Sequence, residues 1–325
     1  MPSLLSIDLP NGDHAALARR FLDRTHELMA LGDRMLTWPV AGLLDEVSRR
    51  WAAQRDIPYK DEIARIDAMA GRRGAWFASL NYEWGCAAAI LDADDGTPIL
   101  GRVLDWPFPR LGEMAMIVNS GGPAGNFSHV TWPGCVGALQ ASAPGRFAAV
   151  LNNAPHTSFG LGPVVGQAAG WLADKKRWWR SQGMPPALLL RQVCETAPDF
   201  AAARHMLKET ALCRPCIFTI VGVHPGEHAV IQRSIEGTAV NPARAVTNHW
   251  LDPGLPGDLG PNFSERRLEG LRQSIKAGDY FRWLQPPVLN AFSRLAVEMH
   301  PASGMLRAQG WDGKKPATAL FESHA

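Results

Sequence analysis

The chain has 325 residues, 46% hydrophobic and 20% charged, a globular composition long enough for one large domain or two average ones. Its formal net charge of +2 offers no concentrated basic face, which argues against a nucleic-acid partner. No stretch approaches the roughly 20 consecutive apolar residues of a membrane span, and Met1 to Pro10 lack a basic segment followed by an apolar one, so a cytoplasmic location is expected.

Residues 10–70 read as helical. Asn11-Gly-Asp13 offers a helix start before His14 to Leu31, apolar residues recur at helical spacing from Val40 to Gln54, and Asp61 to Met69 is a further short helix. The period then changes. Ala87 to Leu91 and Ile99 to Leu104 are short apolar runs flanking Asp92 to Gly96, which is turn chemistry, and together they predict a β-hairpin. Ala115 to Asn119, Val136 to Ala141 and Arg146 to Leu151 read as strands. A helical block runs from about Val164 to Leu212, broken at Gly183 to Pro186 and at Pro198-Asp199. Strands return at Ile217 to Val223, Ala229 to Arg233 and Ala243 to Thr247. A Gly- and Pro-rich loop from Leu251 to Asn262 leads to a helix over Ser264 to Ala277, and Leu295 to Met299 and Gly304 to Ala308 alternate again. Such blocks predict α+β layering rather than repeated βαβ units.

The five cysteines, Cys86, Cys135, Cys194, Cys213 and Cys216, are odd in number and scattered, which fits a reducing compartment better than a disulfide framework. Cys213-Arg-Pro-Cys216 lacks two further ligands at zinc spacing and reads as small side chains entering a strand, so no metal or other cofactor is expected. Trp171 to Arg180 combines Trp171, Trp178 and Trp179 with basic residues. That pattern fits peripheral contact with an anionic membrane as well as an exposed helix with packed tryptophans.

Chemistry concentrates at Asn81-Tyr-Glu-Trp-Gly85-Cys86, where a cysteine opens a strand, and at Gly101-Arg102-Val-Leu-Asp105-Trp106 on the second arm of the hairpin. Adjacent antiparallel strands bring Arg102 and Asp105 back beside Cys86. A cation near a thiol favours the thiolate, the reactive form. The same residues also fit a packed cysteine and a structural ion pair.

This segment resembles the processing site of the acid ceramidase and N-acylethanolamine amidase family of N-terminal-nucleophile hydrolases, distantly related to penicillin V acylase and bile-salt hydrolase. In that family a strand-opening cysteine is followed by an arginine sixteen residues on and an aspartate nineteen on, the spacing of Cys86, Arg102 and Asp105. Further similarity runs through Ser6 to Pro10, Asp61 to Gly85, Met184 to Arg233, Val246-Thr-Asn248-His and Ser264-Glu-Arg-Arg267. The chain departs from the family pattern at Ala87-Ala88, at Leu151-Asn152-Asn153-Ala154 and in the longer interval from Asn248 to Arg267.

The resemblance implies a four-layer αββα sandwich, two stacked, mainly antiparallel sheets between helices. It also implies self-cleavage between Gly85 and Cys86, giving a helical segment 1–85 and a catalytic segment 86–325 of the same domain. Cys86 would carry the acyl group as a thioester, with Asp105 orienting its freed amine and Arg102 holding the nucleophile. Asn248 would supply the oxyanion hole through its side-chain amide, and Arg267 would organise the site, although Arg266 beside it is an equal match. Asn152, Asn153 and Trp106 would meet the substrate, an N-acylated small molecule such as an N-acylethanolamine, ceramide or other fatty amide. An acyltransferase, a penicillin or N-acyl amino acid acylase, and an inactive lipid-binding homologue fit the same features.

Overall fold

The computed structural model describes residues 1–36, 38–80, 85–155, 163–234, 236–256, 263–275 and 280–324, with backbone alone at 32–36, 38–41, 163–169, 171 and 172. Strand β1 (Leu5–Leu9) precedes helices α1 (His14–Arg20), α2 (Leu22–Leu36), α3 (Trp38–Ala53), α4 (Lys60–Ala70) and α5 (Ala75–Leu80). The expected start of α1 is present: the Asp13 carboxylate accepts from the Ala15 N–H at 3.0 Å, satisfying one of the orphan donors of the first turn. These helices share an apolar cluster of Trp51, Ile63, Ile66, Trp76 and Leu80, which also takes in Trp178 and Leu188.

The hairpin is β2 (Gly85–Asp92) and β3 (Pro98–Asp105). Gly96 in its turn has φ +79, a conformation glycine adopts without a steric penalty. Next come α6 (Leu111–Met114), β4 (Met116–Gly122), β5 (Gly125–Thr131), β6 (Gln140–Ala143) and β7 (Phe147–Asn153). The helical block resolves into α7 (Pro163–Arg180), α8 (Pro186–Thr196) and α9 (Phe200–Glu209), interrupted at the two expected places. The remainder is β8 (Cys216–Val221), β9 (His228–Arg233), β10 (Thr238–Asn241), β11 (Ala245–Val246), α10 (Ser264–Ser274), β12 (Ser293–His300), β13 (Met305–Asp312), β14 (Lys315–Pro316) and β15 (Phe321–His324).

Among the described residues these strands make two sheets. One runs β1-β4-β5-β6-β7-β8-β9-β10, antiparallel except for the parallel pair β1 and β4. The other runs β11-β2-β3-β12-β13-β14, with β15 also pairing β13. Side chains alternate across β2, as a strand requires. Cys86, Ala88 and Ile90 enter the core between the sheets, while Ala87, Ala89 and Leu91 meet Leu268 and Leu271 of α10 on the outer face. Helices α8 and α9 cover the outer face of the first sheet. The order helix, sheet, sheet, helix is the expected αββα arrangement.

Two expected strands are shorter than the apolar runs that suggested them. Val136 to Leu139 form a buried irregular segment, and the strand begins only at Gln140. The backbone of that segment is satisfied elsewhere: Ala138 N–H donates to Ala187 at 2.9 Å and the Val136 carbonyl accepts from Arg191 at 3.1 Å. The expected strand at Ala243 to Thr247 shrinks to Ala245–Val246. The expected helix over Ser264 to Ala277 ends at Ser274: Ile275 is extended, and its N–H closes the last turn on the Leu271 carbonyl at 3.0 Å; 276–279 lie outside the described residues. None of the described helices is long and apolar enough to cross a membrane.

Candidate active site

Register places the hairpin residues. Gly85 lies opposite Asp105, Cys86 opposite Leu104, and Ala88 opposite Arg102. Arg102 therefore shares the inner face of the sheet with Cys86, and Asp105 lies on the outer face. The Arg102 side chain runs back along the inner face, and one guanidinium nitrogen donates to Cys86 Sγ at 2.9 Å and to the Leu151 carbonyl at 2.9 Å. The other terminal nitrogen donates to Gln140 Oε1. Both Cys86 and Arg102 are almost wholly buried. Among the described residues Arg102 has no carboxylate within ion-pair distance, and its hydrogen bonds go to the thiol, a backbone carbonyl and a neutral amide.

Opposing effects act on that thiol. Burial pushes the Cys86 thiol up, Arg102 draws it down, Asp105 raises it and Arg267 lowers it, with burial the largest. A buried thiol held upward by desolvation is brought toward reactivity by the nearby guanidinium.

Asn248 follows β11, whose Val246 pairs with Ala88. Its Oδ1 accepts the Cys86 backbone N–H at 2.8 Å, and its Nδ2 donates to the Asn153 carbonyl at 2.9 Å. The expected oxyanion donor thus turns its oxygen, not its NH2 group, toward Cys86. Ser264 Oγ fixes the Asn248 backbone by accepting its N–H at 2.8 Å. Of the two neighbouring arginines, Arg267 points inward and Arg266 stays exposed. Arg267 forms a 2.5 Å ion pair with Asp105, both fully enclosed, and also reaches Asn248 Oδ1 at 3.5 Å. The other Asp105 oxygen accepts from Ser293 Oγ at 2.8 Å.

A pocket of about 20 Å3 adjoins Cys86, lined by Arg102, Leu151, Asn152, Asn153, Arg214 and Cys216 among others. That is room for about one water, far less than an acyl chain needs. Asn152 and Asn153 line this pocket beside the thiol, Asn152 fully buried. Trp106 does not line this pocket and packs against Phe108 with ring centroids 5.3 Å apart. One residue beyond Asp105 the chain has left β3, and Trp106 N–H donates instead to Phe292 at 2.7 Å.

Trp178 follows the second of the two readings, that of packed tryptophans. It is buried and stacked on Trp51 at 4.8 Å, so it packs and is not presented to a membrane, whereas Trp179 is partly exposed and the side chain of Trp171 lies outside the described residues. Asn81 to Trp84, the residues before Gly85, lie outside them too. Sequence reasoning missed Gln140, Ser264, Ser293 and Arg214. The one signal for Gln140 was a polar residue within a run expected to be a buried strand.

No protein-family model matches the chain. An N-acylethanolamine-hydrolysing acid amidase from Cavia porcellus is 26% identical over 238 residues, which cover 68% of this chain. The match spans 60% of that amidase's length. A solved structure of the Caenorhabditis elegans ortholog of that amidase superposes with a TM-score of 0.50 at 19% identity, covering 67% of this chain and 93% of the ortholog. A conjugated bile acid hydrolase variant from Clostridium perfringens is 9% identical with a TM-score of 0.45, covering 74% and 92% respectively. The chain is similar to the amidase in sequence, and its fold is the αββα fold of the N-terminal-nucleophile hydrolases.

Proposed function

We propose that this chain is a cysteine amidohydrolase that cuts itself between Gly85 and Cys86 and then hydrolyses the amide bond of N-acylated small molecules. The observation that carries the reading is Cys86 itself. It is a strand-opening cysteine whose sulfur accepts from a buried arginine and whose N–H is held by Asn248. The Cavia porcellus relative, named for hydrolysing N-acylethanolamines, supports an N-acyl amide as the substrate class.

In the cut, Cys86 Sγ attacks the Gly85 carbonyl carbon. The C–S bond forms, the Gly85–Cys86 C–N bond breaks, and the nitrogen takes up a proton. Water then resolves the thioester to a Gly85 carboxylate and restores the thiol. Glycine at position 85 leaves the approach to its carbonyl uncrowded. The freed α-amine has a reference pKa of about 7.7–8.0 and can serve as base and then acid near neutrality.

On substrate the same sequence repeats. Sulfur takes the acyl group, the amine leaves carrying the proton delivered by the α-amine, and water hydrolyses the acyl-thioester. Asn248 Oδ1, already facing the Cys86 nitrogen, holds the new amine in place. Asp105 and Arg267, paired beneath it, fix that geometry from the outer face. Arg102 favours the thiolate, and no cofactor is needed. Five buried cysteines, none of them in a disulfide among the described residues, suit a reducing, cytoplasmic setting.

Denaturing mass spectrometry of wild-type protein and Cys86→Ala, incubated from acidic to neutral pH, tests this. Fragments 1–85 and 86–325 are expected from wild type alone. An intact wild type under every condition overturns the reading and leaves a lipid-binding protein on an amidase fold.

A further inference from the structure

The Cys213-Arg214-Pro215-Cys216 motif takes on a different meaning in the fold. Cys213 is buried in the helical cluster, and Cys216 opens β8 opposite Asn153. Burial pushes both thiols up, Cys213 to about 12, so neither is an anion near neutrality. The turn between them sets Arg214 and Pro215 into the wall of the Cys86 pocket.

Arg214 is half-buried, and its hydrogen bond there is to a neutral group, Asn153 Oδ1, at 3.1 Å. Among the described residues it has no ion-pair partner, and no Asp or Glu lines the pocket. The other cation present, Arg102, is committed to Cys86, Leu151 and Gln140. Across the same pocket Asn152 is fully buried; its Nδ2 donates to the Thr247 carbonyl at 3.2 Å, while its Oδ1 has no partner. Among the described residues, the wall beside the nucleophile therefore holds one acceptor without a partner and one guanidinium without a counter-charge.

A half-desolvated guanidinium without an anion is costly, and its planar fork suits a carboxylate. An amide substrate whose amine portion carries a carboxylate supplies both missing partners: its N–H for Asn152 Oδ1 and its anion for Arg214. A neutral ethanolamine head group supplies only the first. Resting on the reading of Cys86 as nucleophile, we infer that the preferred substrates are N-acyl amino acids and that Arg214 is the residue that selects them.

Two readouts test this on the purified full-length protein. The first is hydrolysis of N-dodecanoylglycine against N-dodecanoylethanolamine by wild type, Arg214→Gln and Arg214→Lys. The second is alkylation of Cys86 by iodoacetate against iodoacetamide, a charged and neutral pair, located by peptide mapping. Wild type is expected to favour N-dodecanoylglycine at least tenfold in kcat/KM. Arg214→Gln lowers kcat/KM for N-dodecanoylglycine, mainly through KM, several-fold more than for N-dodecanoylethanolamine, and Arg214→Lys restores part of the preference. The iodoacetate-to-iodoacetamide rate ratio falls several-fold in Arg214→Gln. Equal loss on both substrates, or an alkylation ratio unmoved by Arg214→Gln, overturns the inference. Turnover of the neutral amide with no carboxylate preference sinks the role of Arg214 and spares the amidase reading. No acylation of Cys86 by either amide, with an alkylation ratio that still tracks Arg214, does the reverse.

Discussion

At the scale of single residues, the site turns on a competition between burial and one buried guanidinium. Replacing Arg102 with Gln keeps a hydrogen-bonding side chain and removes the charge. The Cys86 thiol, already pushed up by burial, loses its main downward influence. The pH at which Cys86 alkylates half-maximally should therefore rise, by about 1–3 units if the exchange follows other close ion pairs. A rate-versus-pH profile for Cys86 labelling checks this, and an unchanged midpoint would show that Arg102 is only a packing group. The Cys86–Arg102 relation was legible in the sequence because a hairpin converts linear spacing into register. Arg267 was legible only as one of two, since nothing in Arg266-Arg267 says which turns inward; packing of Leu268 and Leu271 against β2 and β3 decides it. Gln140, Ser264 and Ser293 were not legible as site residues. Each acts through a partner distant in sequence, as in Ser293 to Asp105 or Arg102 to Gln140.

At the scale of elements, the legible ones were those with a strong period or clear punctuation: the hairpin, the helices before residue 70, and the helical block broken at its prolines. Strand β5, Gly125 to Thr131, escaped because Asn126 and Ser128 dilute its alternation, and α5 because six residues carry too little period. The C-terminal β15, Phe-Glu-Ser-His, is polar and half-exposed, and is a strand only because β13 offers it an edge. Close element crossings were invisible for the same reason. A Cβ on Gly112 of α6 would sit 2.2 Å from the Arg294 carbonyl oxygen and 2.6 Å from the Trp311 nitrogen, both of them backbone atoms. Gly112→Ala should therefore destabilise the protein by about 1–3 kcal/mol. By contrast, Gly237→Ala, whose Cβ meets nothing closer than Leu255 at 3.9 Å, should be tolerated. Urea midpoints of the two variants decide the matter, and equal midpoints would show that α6 can shift without cost.

For the whole molecule, the seam between residues before and after Cys86 contains an acid-sensitive contact. His14 of α1 and His129 of β5 stack at 5.0 Å in full burial, beside Phe127 and near Arg191, with Glu62 and Glu195 bonded to that arginine. Burial holds His129 down to about 3 and His14 well below its ordinary value. Both bind fewer protons folded than unfolded, so their contribution is whole above about pH 6.5 and is lost as pH falls toward the folded values. Wild type should lose more denaturant resistance between pH 7.5 and pH 5 than His129→Phe, which keeps the stack and removes one titrating ring. Equal losses would assign acid sensitivity elsewhere. The parallel pairing of β1 with β4 bears on the same seam. A cut at Gly85 would leave β1 clamped as an edge strand of a sheet whose other members all come from the longer fragment. One chain would become two without coming apart. From then on its unfolding would release two molecules where there had been one, so mass action at a given concentration, and no longer chain connectivity alone, would help decide whether it stays folded.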